Sequence, residues 1–235
     1  MIKFLIQTID GEIKHDFSFT LLKSIEYQAW ADKTSPFTYH LLDMPTKFDP
    51  VYCDYIPVGS VEFVSKFLFQ IFGRTPKPRN VPVELFDKIF SGRTIINGTN
   101  EDITEASFVK SNDKIKYFAE FCSFAPAGNY QISSIIRNID SEWRAFIYKG
   151  ELVGLQNYSG NFTKFPDVRK INEMIRVYKS APISYTLDVA ICDYQTYVIE
   201  VHDFFSCGLY GFEDHKILPF MFSRWYQEYI RKQPY

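Results

Sequence analysis

Ser184-Tyr-Thr-Leu-Asp-Val-Ala-Ile-Cys192 and Thr196-Tyr-Val-Ile-Glu-Val201 are two apolar, β-branched runs separated by Asp193-Tyr194-Gln195. Short runs of this composition with so few residues between them predict an antiparallel hairpin. Each run carries one carboxylate in its apolar interior, Asp188 in the first and Glu200 in the second. Counting outward from the turn brings these two acids close together. Carboxylates that share one spot repel strongly unless a cation lies between them. Hard oxygen ligands on strands suit Mg2+, which keeps waters and substrate phosphates as its other ligands. The competing reading is an edge hairpin with both acids solvated. His202 falls on the Glu200 face by strand alternation. A neutral imidazole is an uncommon ligand for Mg2+ and a good one for Mn2+ or Zn2+.

Upstream of the hairpin the chain is rich in extended segments. Ser107–Val109, Tyr117–Cys122, Gln131–Ile136, Glu142–Tyr148 and Glu151–Leu155 all read as strands, with Lys149-Gly150 as a tight turn. Lys110 follows the first of these directly, and Lys116 lies six residues on. A lysine at a strand end can present its ammonium to a phosphate as a point charge; the default is a solvated edge-strand lysine. Glu142 and Arg144 share a strand face, which gives either a surface ion pair or an arginine fork aimed at an oxyanion. Val168–Lys179 has helical spacing, and the chain closes on a helix with Leu218, Phe222, Trp225, Tyr226 and Tyr229 on its apolar face.

The N-terminal part has a different pattern. Ile2–Ile9 reads as a strand, followed by an Asp10-Gly11 turn, a second extended stretch to Phe19, and a helix over Thr20–Trp30. Asp54–Pro57 predicts another strand. It leads through Gly59-Ser60, a capping signal, into a helix with Val64, Phe67, Leu68 and Ile71 on one face. Pro76, Pro78 and Pro82 mark a connector. The polar stretch Ile96–Thr104 suggests a domain boundary. The expectation is an α+β chain, with a small α/β domain at 1–100 and a second domain at 101–235.

Composition sets the outer limits. The 235 residues are 46% hydrophobic and 23% charged, which excludes a wholly disordered chain. A net charge of −2 argues against a global basic field for nucleic acid. Cys53, Cys122, Cys192 and Cys207 show no metal-knuckle spacing and read as reduced thiols of a cytosolic protein. No stretch approaches the roughly 18 apolar residues of a membrane span. The absence of GxxxxGK[ST] and of GxGxxG argues against P-loop and Rossmann nucleotide sites.

Taken in order, Phe108-Val-Lys110, Lys116-Tyr-Phe, Tyr130–Ile136, Glu142-Trp-Arg144-Ala-Phe-Ile, Asp188 and Val198-Ile-Glu200-Val-His202 resemble the ATP-grasp superfamily. The ending Glu200-Val-His-Asp-Phe-Phe-Ser-Cys-Gly-Leu-Tyr-Gly211 looks like the clade named for one arginine and two lysines. Its members occur in phage and bacterial genomes and are read as amide ligases. The likeness runs from about residue 105 to 213, and Ile56-Pro-Val-Gly-Ser-Val-Glu-Phe63 is similar to the clade's N-terminal domain. The resemblance implies an antiparallel-sheet, two-lobed nucleotide cleft. Lys110, Lys116, Ser133, Ser134, Ile135 and Glu142 would surround ATP. Arg144, with Lys116, would act on the transferred phosphoryl or the substrate carboxylate. Asp188, Glu200 and His202 would hold Mg2+, with Mn2+ as an alternative, and His202 stands where asparagine is usual.

The implied reaction is carboxylate–amine ligation that forms ADP. A carboxylate attacks the γ-phosphoryl of ATP to give an acyl phosphate, which an amine converts to an amide. Such chemistry needs positioning and charge neutralisation more than a protein nucleophile. The substrates would be small-molecule or peptide acids and amines, with neither membrane nor nucleic acid as partner. The setting would be cytoplasmic (the host cytoplasm if the chain is phage-encoded). The rival expectations are a nucleotide-binding or interaction protein without turnover, an ATP-dependent kinase, and an enzyme modifying nucleic-acid ends.

Overall fold

The computed structural model describes residues 1–33, 35–115 and 117–231. The chain forms two compact units. One comprises Met1–Thr75, Pro182–Ser184 and the chain from Asp203 on; the other comprises Pro76–Ala181 and Tyr185–His202.

The first unit is built on three parallel strands. β1 (Ile2–Thr8) lies between β2 (Phe37–Asp43) and β3 (Tyr55–Val58), in register Ile2↔Phe37 on one side and Lys3↔Tyr55 on the other. A parallel pair needs a crossover, and α1 (Asp16–Ala31) supplies it between β1 and β2. Phe4, Leu5 and Ile6 are fully buried, as befits a central strand covered on both faces. α1 starts four residues before the expected Thr20, so Asp16–Phe19 is helical rather than extended. Phe17 extends the apolar stripe of Leu21 and Ile25 by one turn. Asp16 stands in the first turn, where a carboxylate meets the positive end of the helix, and it accepts from the Leu209 N–H at 2.7 Å. α2 (Val61–Phe72) starts where the sequence signals it, with Ser60 Oγ accepting from the Phe63 N–H at 3.1 Å. Its C-terminus is closed by Gly73 at φ +67°. α5 (Leu218–Arg231) completes the unit, with Phe220 edge-on to Phe37 at 5.0 Å.

The second unit carries two four-stranded sheets. The intervening elements are a single helical turn, α3 (Lys88–Ser91), and then β4 (Ile95–Thr99), β5 (Ser107–Ser111), β6 (Ala119–Cys122) and β7 (Asn129–Ser133), in sheet order β4-β7-β5-β6. Ile96–Thr104, expected to be a polar boundary, therefore contains a strand, because β4 pairs antiparallel with β7 from Ile95↔Ser133 to Thr99↔Asn129. The other sheet is formed by β8 (Ile139–Tyr148), β9 (Glu151–Gly160), β10 (Ser184–Cys192) and β11 (Gln195–Asp203), in order β11-β10-β8-β9. α4 (Val168–Val177) covers one face of it. Ile171, Met174 and Ile175 form one apolar core with Trp143, Ala145 and Ile147 of β8 and with Tyr185, Leu187, Val189 and Ile191 of β10. Side-chain alternation then commits the even-numbered residues of β8 and β10 to the opposite face. Val109, Tyr130 and Ile132 anchor the smaller core of the other sheet.

Candidate functional site

The site grows out of that opposite face. Asp188 is at the middle of β10, which is buried along its whole length, and is itself 1% exposed. The solvated edge-hairpin reading is thereby excluded for this acid, since of the hairpin's two strands β10 is interior and β11 is the one at a sheet edge. A carboxylate so buried needs a partner. It has one in Arg144, whose Nε and Nη2 donate to Oδ1 and Oδ2 of Asp188 at 2.7 Å each. This planar fork is the strong form of an arginine–carboxylate pair. The hairpin turn is two residues rather than three: Asp193 and Tyr194 have φ of 49° and 64°, the twist that suits adjacent strands, and Gln195 already belongs to β11.

This turn sets Glu200 and His202 beside Asp188. His202 Nε2 lies 2.7 Å from Glu200 Oε1 and 3.8 Å from Asp188 Oδ2. One ligand-type atom from each of the three residues falls within 4.8 Å of the others. Two carboxylates and an imidazole at this spacing form a donor set that suits a divalent cation, with the nitrogen favouring Mn2+ more than an all-oxygen set does.

Lys110 reaches the same place from the other sheet. It sits in β5, opposite Gln131 of β7 and Ala119 of β6, and its ammonium pairs with Glu200 Oε2. Burial, and next the positive guanidinium of Arg93, push its pKa down to about 8. Arg93 is largely buried. Its guanidinium donates to the carbonyls of Val198 at 2.7 Å and Ile199 at 3.0 Å, and burial lowers its pKa to about 10.

A cavity of about 280 Å³ opens between the two sheets of this unit, with Lys110 and Arg93 in its wall. Phe108, Phe121, Ile139 and Ile199 make it mostly apolar, and Ser133 at the end of β7, with Ser134, Ile135 and Ile136 of the link to β8, lines one side. Ser134 is held in place by two contacts with Thr94: its N–H donates to the Thr94 carbonyl at 3.0 Å, and its hydroxyl accepts from the Thr94 N–H at 3.1 Å. Glu142 also lines the cavity and accepts from the Tyr158 hydroxyl at 2.7 Å. Burial and then the Asp188 charge raise the Tyr158 pKa, so that phenol stays a donor. Its ring lies 5.8 Å from the Arg144 guanidinium, within cation–π range.

Of the residues singled out from the sequence, Lys110, Arg144, Asp188, Glu200 and His202 form one connected network. Ser133, Ser134, Ile135 and Glu142 line the adjoining cavity together with Lys110. Lys116 lies outside the described residues. Arg144 points its fork at Asp188, so the expectation of a simple surface pair with Glu142 gives way to a buried pair across strands. Sequence reasoning missed Arg93 and gave Tyr158 no part in the nucleotide site. Arg93 stands in Ser91-Gly-Arg-Thr94 with no motif around it, and only a cation set in the run Ile89-Phe90…Ile95-Ile96 hinted at a buried role.

Comparison with known proteins gives the chain a family and a fold. The family model for the ATP-grasp domain of the clade named for one arginine and two lysines, family 2, matches residues 90–219, more than half of the chain. A search among curated proteins finds no significant match. Among solved structures, the chain is similar to D-alanine–D-alanine ligase from Bacillus anthracis, at 11% identity over 99% of both chains with a TM-score of 0.53. It is similar also to N5-carboxyaminoimidazole synthetase from Staphylococcus aureus, at 9% identity over 92% of this chain and 76% of that one, with a TM-score of 0.55. A RimK-domain ATP-grasp protein from Sphaerobacter thermophilus matches at 10% identity over 97% and 99%, with a TM-score of 0.54. At these identities the likeness is one of fold. Among the described residues, no helix is long and apolar enough to cross a membrane. The family match, the two antiparallel sheets and the cavity between them agree: the chain belongs to the ATP-grasp superfamily, in family 2 of the one-arginine, two-lysine clade.

Proposed function

We propose that the chain is an ATP-dependent carboxylate–amine ligase that forms ADP through an acyl phosphate. The observation that carries this reading is the convergence of Lys110, Arg144, Asp188, Glu200 and His202 beside an apolar cavity bordered by the 133–136 link. The apolar walls suit an adenine ring. The Ser134 N–H is engaged by Thr94, so the backbone of Ile135 and Ile136 is assigned to read the base. Glu142, held by Tyr158, is placed for the ribose hydroxyls. Lys110 offers a point charge to the phosphates, and Lys116 is assigned to the same task. Arg144 is the group for the transferred phosphoryl or the acid substrate, exchanging part of its fork with Asp188 for the ligand.

Asp188, Glu200 and His202 would hold Mg2+ or Mn2+, which supplies charge neutralisation and orientation to the phosphates. The protein's own contribution is to position the reactants and to keep water from the acyl phosphate inside an apolar wall. The amine then displaces phosphate and the amide forms. The substrates are a small-molecule or peptide acid and an amine, and a requirement for ATP fits a cytoplasmic setting.

The test is ADP release over a matrix of acids and amines, followed by product mass. A ligase releases ADP only when acid and amine are both present, and its product weighs their sum less one water. A stable phosphorylated product would instead identify a kinase, and nucleotide binding without release in any pair would identify a binding protein.

A further inference from the structure

We propose that Glu200 makes the cavity selective for metal-bound over bare nucleotide. The inference rests on the ATP reading above and concerns how this chain's own charges are paired before ligand arrives. Both oxygens of Glu200 are engaged, Oε2 by the Lys110 ammonium and Oε1 by His202 Nε2 at 2.7 Å. The two side chains of the ion pair are 17% and 21% exposed, so water screens them poorly. Asp188 is likewise closed by Arg144. The cation that would face a phosphate is therefore held by the acid that would face a metal.

A bare nucleotide polyphosphate must take Lys110 away from Glu200. That leaves the carboxylate poorly solvated and next to a second anion, an arrangement like charges resist. A metal–nucleotide complex brings a cation for Glu200 together with an anion for Lys110, and every charge ends paired. Glu200 thus couples the metal to the nucleotide, and the coupling is reciprocal. Phe108 supports the exchange, because its ring lies 5.7 Å from the Lys110 ammonium and gives the released cation an attractive face.

The experiment is titration calorimetry of the full chain with a non-hydrolysable ATP analogue, once in EDTA and once in Mg2+. For the parent protein, Mg2+ strengthens binding by about 5- to 150-fold, the usual range for coupled sites. In Glu200→Gln, affinity in EDTA rises about tenfold while the strengthening by Mg2+ shrinks toward none. Glu200→Asp provides the second variant. Its shorter carboxylate loosens the Lys110 pair, so binding in EDTA tightens, yet a metal-dependent increment persists. A parent protein that binds equally well with and without Mg2+, or EDTA affinities that stay level or fall in the variants, would overturn the inference and leave the ATP reading standing. A parent protein that binds no nucleotide in either buffer would overturn both.

Discussion

Replacing Arg144 with methionine isolates the central charge pair. Methionine keeps most of the side-chain length and removes the guanidinium, leaving Asp188, 1% exposed, without its two 2.7 Å donors. Two unit charges about 4 Å apart interact by about 4 kcal/mol at an effective dielectric near 20. Breaking a buried pair from one side costs about 3–5 kcal/mol in measured cases, so the two routes agree. For a chain of this size each kcal/mol lowers the melting temperature by about 2–4 °C, which gives a fall of about 6–20 °C. The assay is thermal or urea unfolding followed by circular dichroism, for Arg144→Met, for Asp188→Asn and for the double variant. The double variant should recover at least half of the loss, because no bare charge is left buried. Mg2+ should raise the melting temperature of Arg144→Met more than that of the parent, since Asp188 then lacks a protein cation. An Arg144→Met protein within about 1 kcal/mol of the parent, or a double variant no more stable than the single, would refute the buried-pair argument.

Lys110→Met should weaken binding of metal–nucleotide by at least about tenfold, the value of one charge-assisted contact, and calorimetry with unchanged affinity would remove Lys110 from the site. Gly160→Ala should destabilise the chain by at least about 1–3 kcal/mol. Gly160 has φ +74°, and an added Cβ would overlap the Asp140 carbonyl and come within 2.8 Å of Ser141 Cα; an unshifted unfolding midpoint would count against that strain. Asp113 accepts from the Asn129 backbone N–H at 3.1 Å and from its side-chain amide, contacts that hold its carboxyl below the usual range. A lowered folded-state pKa stabilises above the ordinary carboxylate value and the effect fades as pH falls through the folded value. The gap in melting temperature between the parent and Asp113→Asn should therefore close between about pH 5 and about pH 2, and a gap that is constant across that window would contradict the assignment.

What can be read in the sequence is mostly local. The β10–β11 hairpin announces itself through two β-branched runs and a short turn, and that turn alone brings Asp188 and Glu200 together. Ser60 and Gly73 punctuate α2 at both ends, so its limits follow from capping chemistry. Misreadings fall where a distant partner decides the structure. β4 has only two apolar side chains in Ile95-Ile-Asn-Gly-Thr99, and pairing with β7 some thirty residues later is what makes it a strand. Arg144 has its sequence neighbour Glu142 as the obvious partner, whereas its actual partner Asp188 is 44 positions away on another strand. Arg93 is invisible for the same reason, since the carbonyls it satisfies belong to residues 198 and 199.

The way the two compact units share the chain bears on how the molecule is made. The unit holding Lys110, Asp188 and Glu200 interrupts the other one, which begins before Thr75 and resumes for good at Asp203. During translation, α1 and the parallel strands emerge from the ribosome long before α5, the helix that brings Phe220 against Phe37. The first unit must therefore wait, incomplete, through the synthesis of everything between. A stalled or truncated nascent chain ending near residue 202 would expose an unfinished apolar face to chaperones and proteases.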